Sequence, residues 1–122
     1  MYTFYLKEED MLKDTHFPVI ALFNEAANQD IHEFYRALSN GEGCGYDYAA
    51  CYFWQELDDF DKQQIAPFDG ICVETETGER VVVPYQEWAY YLKLMVGRYQ
   101  KTEDSPELNQ LQKQFCNRYC IC

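Results

Sequence analysis

Residues 71–83 read ICVETETGERVVV, and this stretch decides the fold. Ile71, Val73 and Thr75 occupy every second position of its first half, a period that is typical of a half-buried β-strand. A Thr-Gly pair then supplies a turn, and a valine-rich stretch with high strand propensity follows it. The sequence therefore predicts a β-hairpin at this place in the chain.

Helical patterns lie on both sides of this hairpin. Pro84 is suited to the first turn of the longest helix, whose apolar face runs from Trp88 to Tyr99. Three further helices are predicted from their start signals and apolar stripes: residues 18–28, residues 31–38 behind Asp30, and a helix that starts at Pro106 behind Ser105. Helices combined with a short antiparallel hairpin indicate the α+β class, with the helices packed on a small antiparallel β-sheet or hairpin.

The remaining segments are less regular. Residues 41–45 alternate glycine with Glu42 and Cys44, which predicts a loop with unusual backbone angles and no regular structure. Residues 46–57 fit a short helix or a strand, and their periodicity does not decide between the two. A short strand is also predicted at residues 2–6.

Size and composition limit the number of domains that the chain can form. Its 122 residues fit one domain, and a hydrophobic content of 48% supplies enough material for a packed core. We therefore predict a single domain at residues 1–122 that folds without a cofactor or a structural metal. No basic start followed by an apolar run and no membrane-length apolar stretch occurs, so we expect a cytoplasmic protein whose six cysteines are thiols.

The most unusual feature of the composition is its negative charge. The formal net charge is −11, which argues against nucleic acid as a direct partner because phosphate binding depends on cationic side chains. Between Glu42 and Glu79 there are ten carboxylates and a single cation, Lys62, with aromatic residues interleaved among them. This segment forms either a solvated surface that keeps the protein soluble or a recognition surface for a basic protein.

The sequence offers little for catalysis or metal binding. Common catalytic motifs are missing, and neither His16 nor His32 lies at a motif spacing from a cysteine, so both are expected to be surface residues or satisfied structural residues. The C-terminal cysteines lack the C-x-x-C pair of a structural zinc site. The acidic residues 56–61 suit a hard cation but lack the glycine and terminal glutamate of an EF-hand loop. We therefore expect no enzyme activity, no cofactor and no metal site.

Four stretches of the chain resemble one protein family. They are G-x-G-C-G-Y-D-Y-A-A-C-Y-F at residues 41–53, E-L-D-D at 56–59, P-F-D-G-I at 67–71, and V-P-Y-Q-E-W-x-Y-Y-L at 83–92. Over roughly residues 19–115 the chain resembles the immunity proteins of bacterial contact-dependent growth inhibition (CDI) systems, and more narrowly those that neutralise ribonuclease toxins. This resemblance implies a non-enzymatic protein that binds the C-terminal toxin domain of a CdiA-type effector in a 1:1 complex and blocks its active site. An EndoU-like ribonuclease is the favoured toxin, and an RNase A-like toxin is the second choice.

The resemblance also gives a role to the acidic and aromatic segment. Tyr48, Cys51 and Phe53 are expected to fix the glycine-rich loop in the core, while neighbouring side chains face a cationic toxin cleft. The expected toxin contacts are Tyr46, Asp47, Trp54, Glu56, Asp58, Asp59, Asp61 and Asp69. Two other hypotheses remain open: an acidic adaptor or nucleic-acid mimic for another basic protein, and a small metal-dependent enzyme that uses the aspartate cluster.

Overall fold

The computed structural model describes residues 5–101 and 105–119, and within them the chain forms five α-helices and four β-strands. In chain order these are α1 (Phe17–Gln29), α2 (Ile31–Ser39), β1 (Cys44–Gly45), β2 (Ala49–Phe53), α3 (Asp59–Gln64), β3 (Ile71–Thr75), β4 (Arg80–Val83), α4 (Tyr85–Tyr99) and α5 (Pro106–Arg118). Short 3-10 turns occupy Glu8–Asp10, Asp14–His16 and Trp54–Glu56. The predicted α+β class, with helices on a small antiparallel sheet, is confirmed.

The four strands form one antiparallel sheet in the order β1-β2-β3-β4. The predicted hairpin is β3 and β4, and Gly78 in its turn adopts a positive φ of 94°. Ile71 pairs with Phe53 on one side and with Val83 on the other, which fixes the register of the three longer strands. Residues 46–57, whose periodicity fits a helix or a strand, contain strand β2 and the 3-10 turn that follows it.

The glycine-rich segment is more regular than its sequence predicts. Cys44 pairs with Cys51 and Gly45 with Ala50, so the expectation of a loop without regular structure is wrong for β1. The reason lies at Gly43, where an added Cβ would lie 2.1 Å from the carbonyl oxygen of Cys51. Glycine here lets two backbones approach closely, which is a use distinct from forming a turn.

The predicted helix starts are present at their expected residues. Asp30 accepts a hydrogen bond from the Glu33 N–H at 3.1 Å, and the Ser105 hydroxyl caps α5 in the same way. Pro84 precedes the first residue of α4 as its N-cap. Among the described residues, no helix is both long and apolar enough to cross a membrane. The strand predicted at residues 2–6 begins outside the described residues, and residues 5–7 belong to no strand.

The core is organised around the ring of Phe23 on α1, which is fully buried. Its centroid lies 5.1 Å from the rings of both Phe34 on α2 and Trp88 on α4, and 6.3 Å from the ring of Tyr91. These edge-on contacts add about 0.5–1.5 kcal/mol each to the stabilisation from burial. One side chain of α1 therefore joins three helices on the inner face of the sheet.

The cysteines differ in part from the prediction. Cys44, Cys51 and Cys72 are free, as expected for thiols. Cys116 is bonded in a disulfide, so the prediction is wrong for this residue. A reducing compartment disfavours disulfides in general, but it does not exclude one at a cysteine that has other cysteines close to it in the sequence. Cys120 and Cys122 lie outside the described residues.

His16 is buried at the start of α1. Its Nδ1 lies 2.7 Å from the hydroxyl of Tyr91, and the same hydroxyl oxygen accepts a hydrogen bond from the Leu12 N–H at 2.9 Å. Desolvation lowers the pKa of His16, while the carboxylate of Glu87 opposes this shift and Lys13 adds to it. The neutral imidazole therefore belongs to the folded state, and the unfolded chain binds a proton more readily.

Stability should consequently depend on pH through His16. Its contribution is complete above the unfolded pKa of about 6.5 and is lost as the pH falls toward the lower pKa of the folded state. We expect the free energy of unfolding in urea to fall more between about pH 8 and about pH 5.5 for the wild type than for His16→Asn, which cannot titrate. Parallel pH profiles for the two proteins would contradict this assignment.

Candidate functional site

An aromatic cluster lies where β2 ends and β3 begins. We define it as Tyr52, Trp54 and Phe68, because the Phe68 ring lies 6.1 Å from the Tyr52 ring and 5.7 Å from the Trp54 ring. All three side chains are half-buried. The ammonium group of Lys62 lies 5.8 Å from the centroid of Trp54, so this indole already attracts a cation within the protein.

Glu56 fixes the backbone beside this cluster. Its carboxylate oxygens accept from the Gly43 N–H at 2.9 and 3.0 Å, and one of them also accepts from the Phe53 N–H at 2.8 Å. The side chain therefore joins the segment before β1 to the end of β2. Glu56 thus has an intramolecular structural role.

Helix α3 presents three of the predicted aspartates. Asp58 is its N-cap and accepts from the Asp61 N–H at 2.8 Å, while Asp59 and Asp61 lie in the first turn, where the helix dipole favours negative charge. All three are exposed, and Phe60 between them is 68% exposed. The local sequence thus forms a short acidic helix that carries a large apolar ring on its surface.

Asp69 lies at the same end of the sheet as α3. It is exposed and follows Phe68, whose ring contacts Trp54. Gly70 then starts the path into β3 with a φ of 126°, and a Cβ there would lie 2.4 Å from the Val83 carbonyl oxygen. We call this region the acidic end of the sheet: Trp54, Glu56, Asp58, Asp59, Asp61 and Asp69.

Tyr46 and Asp47 lie at the opposite end of β2. They belong to the connection between β1 and β2, and the five residues of β2 separate them from Trp54 by about 17 Å. Asp47 is exposed, whereas Tyr46 is half-buried with its ring 6.4 Å from that of Phe34. Burial raises the pKa of the Tyr46 hydroxyl. The eight predicted contact residues therefore form two groups.

The expected core positions around β2 are only partly correct. Cys51 and Phe53 are buried, as predicted, because alternate residues of β2 face the core. Tyr48 is 61% exposed, so its predicted core position is wrong. This residue precedes the strand, and the carboxylate of Glu25 accepts from its N–H at 3.0 Å, which holds the backbone and leaves the ring in solvent.

The two histidines are bonded within the fold. In addition to the contact of His16 with Tyr91, His32 Nε2 lies 2.9 Å from the hydroxyl of Ser105. These contacts fit the structural role predicted for both. Within residues 5–101 and 105–119, no group of three or more His, Cys, Asp or Glu side chains is placed to hold a metal ion.

Comparison with known proteins identifies the family. A family model described as CDI immunity protein matches residues 8–114. The chain belongs to the CDI immunity protein family. This confirms the resemblance to CDI immunity proteins, and the membership assigns a toxin-neutralising immunity function exerted by binding the cognate CdiA toxin domain. No curated protein and no solved structure matches the chain.

The carboxylates at the acidic end of this immunity protein form no ion pair within the described residues. In the described part of the chain, ion pairs involve Asp10, Glu74, Glu87 and Glu107. None of these four carboxylates belongs to the acidic end of the sheet. Sequence reasoning did not select Phe60 and Phe68 from this region, although both lie beside predicted aspartates. The position of Phe60 inside an acidic run was the available signal, because an apolar residue there has no core to enter.

We predict that Glu56→Gln destabilises the fold. The amide loses the charge and places an N–H₂ group near two backbone donors, so the free energy of unfolding should fall by about 1 kcal/mol, a low value because the carboxylate is exposed. Urea unfolding measures the change. Glu42→Gln, an exposed neutralisation in the neighbouring segment, is the matched control and should change stability by less than about 0.5 kcal/mol. Equal effects of the two substitutions would contradict the role of Glu56.

Proposed function

We propose that this immunity protein acts in the cytoplasm and neutralises a ribonuclease toxin domain by forming a 1:1 complex through the acidic end of the sheet. The observation that carries the proposal is the group of exposed aspartates on α3 and at Asp69, placed beside the half-exposed ring of Trp54. Large aromatic side chains such as Trp are enriched in protein interfaces and are surrounded there by a polar rim.

A ribonuclease toxin has the complementary chemistry. A cleft that holds RNA phosphates is lined by Lys, Arg and His side chains, so a carboxylate surface can occupy it in place of the substrate. The net charge of −11 favours association with such a domain over long range. An EndoU-like ribonuclease is the toxin that we favour, and an RNase A-like domain is the second choice. Inhibition by occupation requires no catalytic group in the immunity protein.

The predicted contacts divide into two kinds within this proposal. Asp59, Asp61 and Asp69 are the direct charge contacts, and Trp54 supplies apolar contact area. Glu56 and Asp58 contribute by shaping the segment, since one bonds the Gly43 N–H and the other caps α3. Tyr46 and Asp47, at the other end of β2, form a second and separate contact region.

Charge reversal at Asp59 and Asp69 tests the role of the acidic end. Neither side chain caps the helix, so the fold should remain while the Asp59→Lys/Asp69→Lys variant associates with the cognate toxin domain roughly tenfold more slowly at low salt. Stopped-flow association and an RNA-cleavage titration measure the effect. The difference from wild type should shrink as salt rises, because exposed charges are screened.

The control is Glu8→Lys/Asp14→Lys, which makes the same change in net charge at exposed positions near the start of α1. A similar loss in both double variants would indicate nonspecific attraction and favour the acidic adaptor hypothesis. Unchanged association of the Asp59→Lys/Asp69→Lys variant would exclude the acidic end as the contact. Continued RNA cleavage with wild-type protein in excess over the toxin would exclude inhibition of a ribonuclease altogether.

A further inference from the structure

The outer face of the sheet has an unusual composition. Because residues paired across strands share a face, the register places the following residues together on the side away from α1: Gly45, Ala50, Tyr52, Cys72, Glu74, Arg80 and Val82. An antiparallel sheet with one solvated face usually carries polar residues there. Here only Glu74 and Arg80 are charged, so the outer face is largely apolar.

Several of these apolar side chains reach solvent. Val82 on the edge strand β4 is 37% exposed, and Tyr52 and Ala50 are half-buried. The rings of Phe68 and Trp54 continue this surface toward the acidic end of the sheet through the contacts of the aromatic cluster. Val82 lies on the same face, separated from Tyr52 by the buried Cys72. We call these four side chains the outer patch: Tyr52, Trp54, Phe68 and Val82.

The polar groups within the outer face are already paired. A guanidinium nitrogen of Arg80 lies 2.6 Å from a carboxylate oxygen of Glu74, and the Tyr52 hydroxyl donates to that same oxygen at 3.1 Å. This ion pair is the last β3–β4 pair before the hairpin turn, and its two opposite charges compensate each other. An apolar centre with satisfied polar groups and charged residues at the rim is the arrangement found in protein interfaces.

We propose that the outer patch is the apolar centre of the toxin interface, and that the acidic end of the sheet is its charged rim. The proposal rests on the proposed function and extends the interface from the end of the sheet across its outer face. The toxin domain would place an apolar or aromatic side chain against Tyr52 and Val82. Its Lys and Arg side chains would flank that contact and reach the carboxylates.

Charge argues for the toxin as occupant in preference to a second copy of this chain. Carboxylates lie at both ends of the outer face, with Asp69 at one end and Asp47 and Glu76 at the other, where the Glu76 N–H donates to the Tyr48 carbonyl. Two chains that each carry a net charge of −11 repel one another when like surfaces meet. A basic toxin domain instead brings opposite charge to both ends.

Val82→Lys in the full chain tests the proposal. Lysine is well tolerated on an exposed edge strand, so the fold should remain intact, and urea unfolding checks this. A cation at Val82 in the outer patch, facing a basic toxin domain, should weaken binding roughly tenfold or more, mainly through faster dissociation. Calorimetry and dissociation kinetics with the cognate toxin domain measure the change.

The matched control is Leu12→Lys, which introduces the same charge at a 47% exposed apolar residue near the start of α1. It should leave toxin affinity within about twofold of wild type. A second variant, Phe68→Ala, removes one ring of the outer patch without adding charge and should also weaken binding. Loss of affinity in Val82→Lys and Phe68→Ala, with normal binding by Leu12→Lys, supports the proposal.

Two results would overturn the outer patch while leaving the proposed function intact. In the first, wild type inhibits the toxin and both patch variants bind it as wild type does. In the second, toxin binding is unchanged but Val82→Lys converts a dimer to a monomer in sedimentation, which assigns the face to a second copy. If wild-type protein itself fails to inhibit RNA cleavage, the proposed function is wrong, and the proposed role of the outer patch is then wrong as well.

Discussion

The packing of Phe23 is the constraint on which the rest of the structure depends. Its ring contacts Phe34, Trp88 and Tyr91, so the positions of α1, α2 and α4 are set by one another. The same helix α1 packs on β2 and β3, which leaves the opposite face of the sheet without that cover. Because α1 covers only the inner face, the aromatic cluster and the acidic end are free to serve as a surface for a partner.

The carboxylates of the acidic segment serve two purposes that their sequence does not separate. Glu56 bonds the backbone of Gly43 and Phe53, and Asp58 caps α3, so these two stabilise local structure. Asp59 and Asp69 neither cap a helix nor bond the backbone in this way, so their carboxylates remain available to a cation. The acidic cluster of this protein is therefore partly a scaffold, and its capacity for recognition is smaller than a count of acidic residues suggests.

Local signals in the sequence predict most of this fold. The alternation at Ile71, Val73 and Thr75 specifies the hairpin, and the caps at Asp30 and Ser105 mark helix starts correctly, because these effects act between near neighbours in the chain. Strand β1 is not predictable in this way, since its pairing depends on the close approach of the Gly43 backbone to Cys51 on the neighbouring strand β2. The predicted contact residues likewise lie close together in the sequence, within residues 46–69. Strand β2 nevertheless separates Tyr46 and Asp47 at its start from the other six at or beyond its end. Residues such as Val82, which join the surface only through cross-strand register, carry no local signal.

The two tryptophans of the chain occupy opposite environments. Trp88 is fully buried beside Phe23, and its indole N–H has no hydrogen-bond partner among the described residues. Trp54 lies half-exposed beneath the ammonium of Lys62, at the proposed contact with the toxin. Since indole emission responds to the polarity of its surroundings, Trp88 reports on the integrity of the core and Trp54 on events at the surface. The molecule therefore carries separate intrinsic optical probes for unfolding and for complex formation.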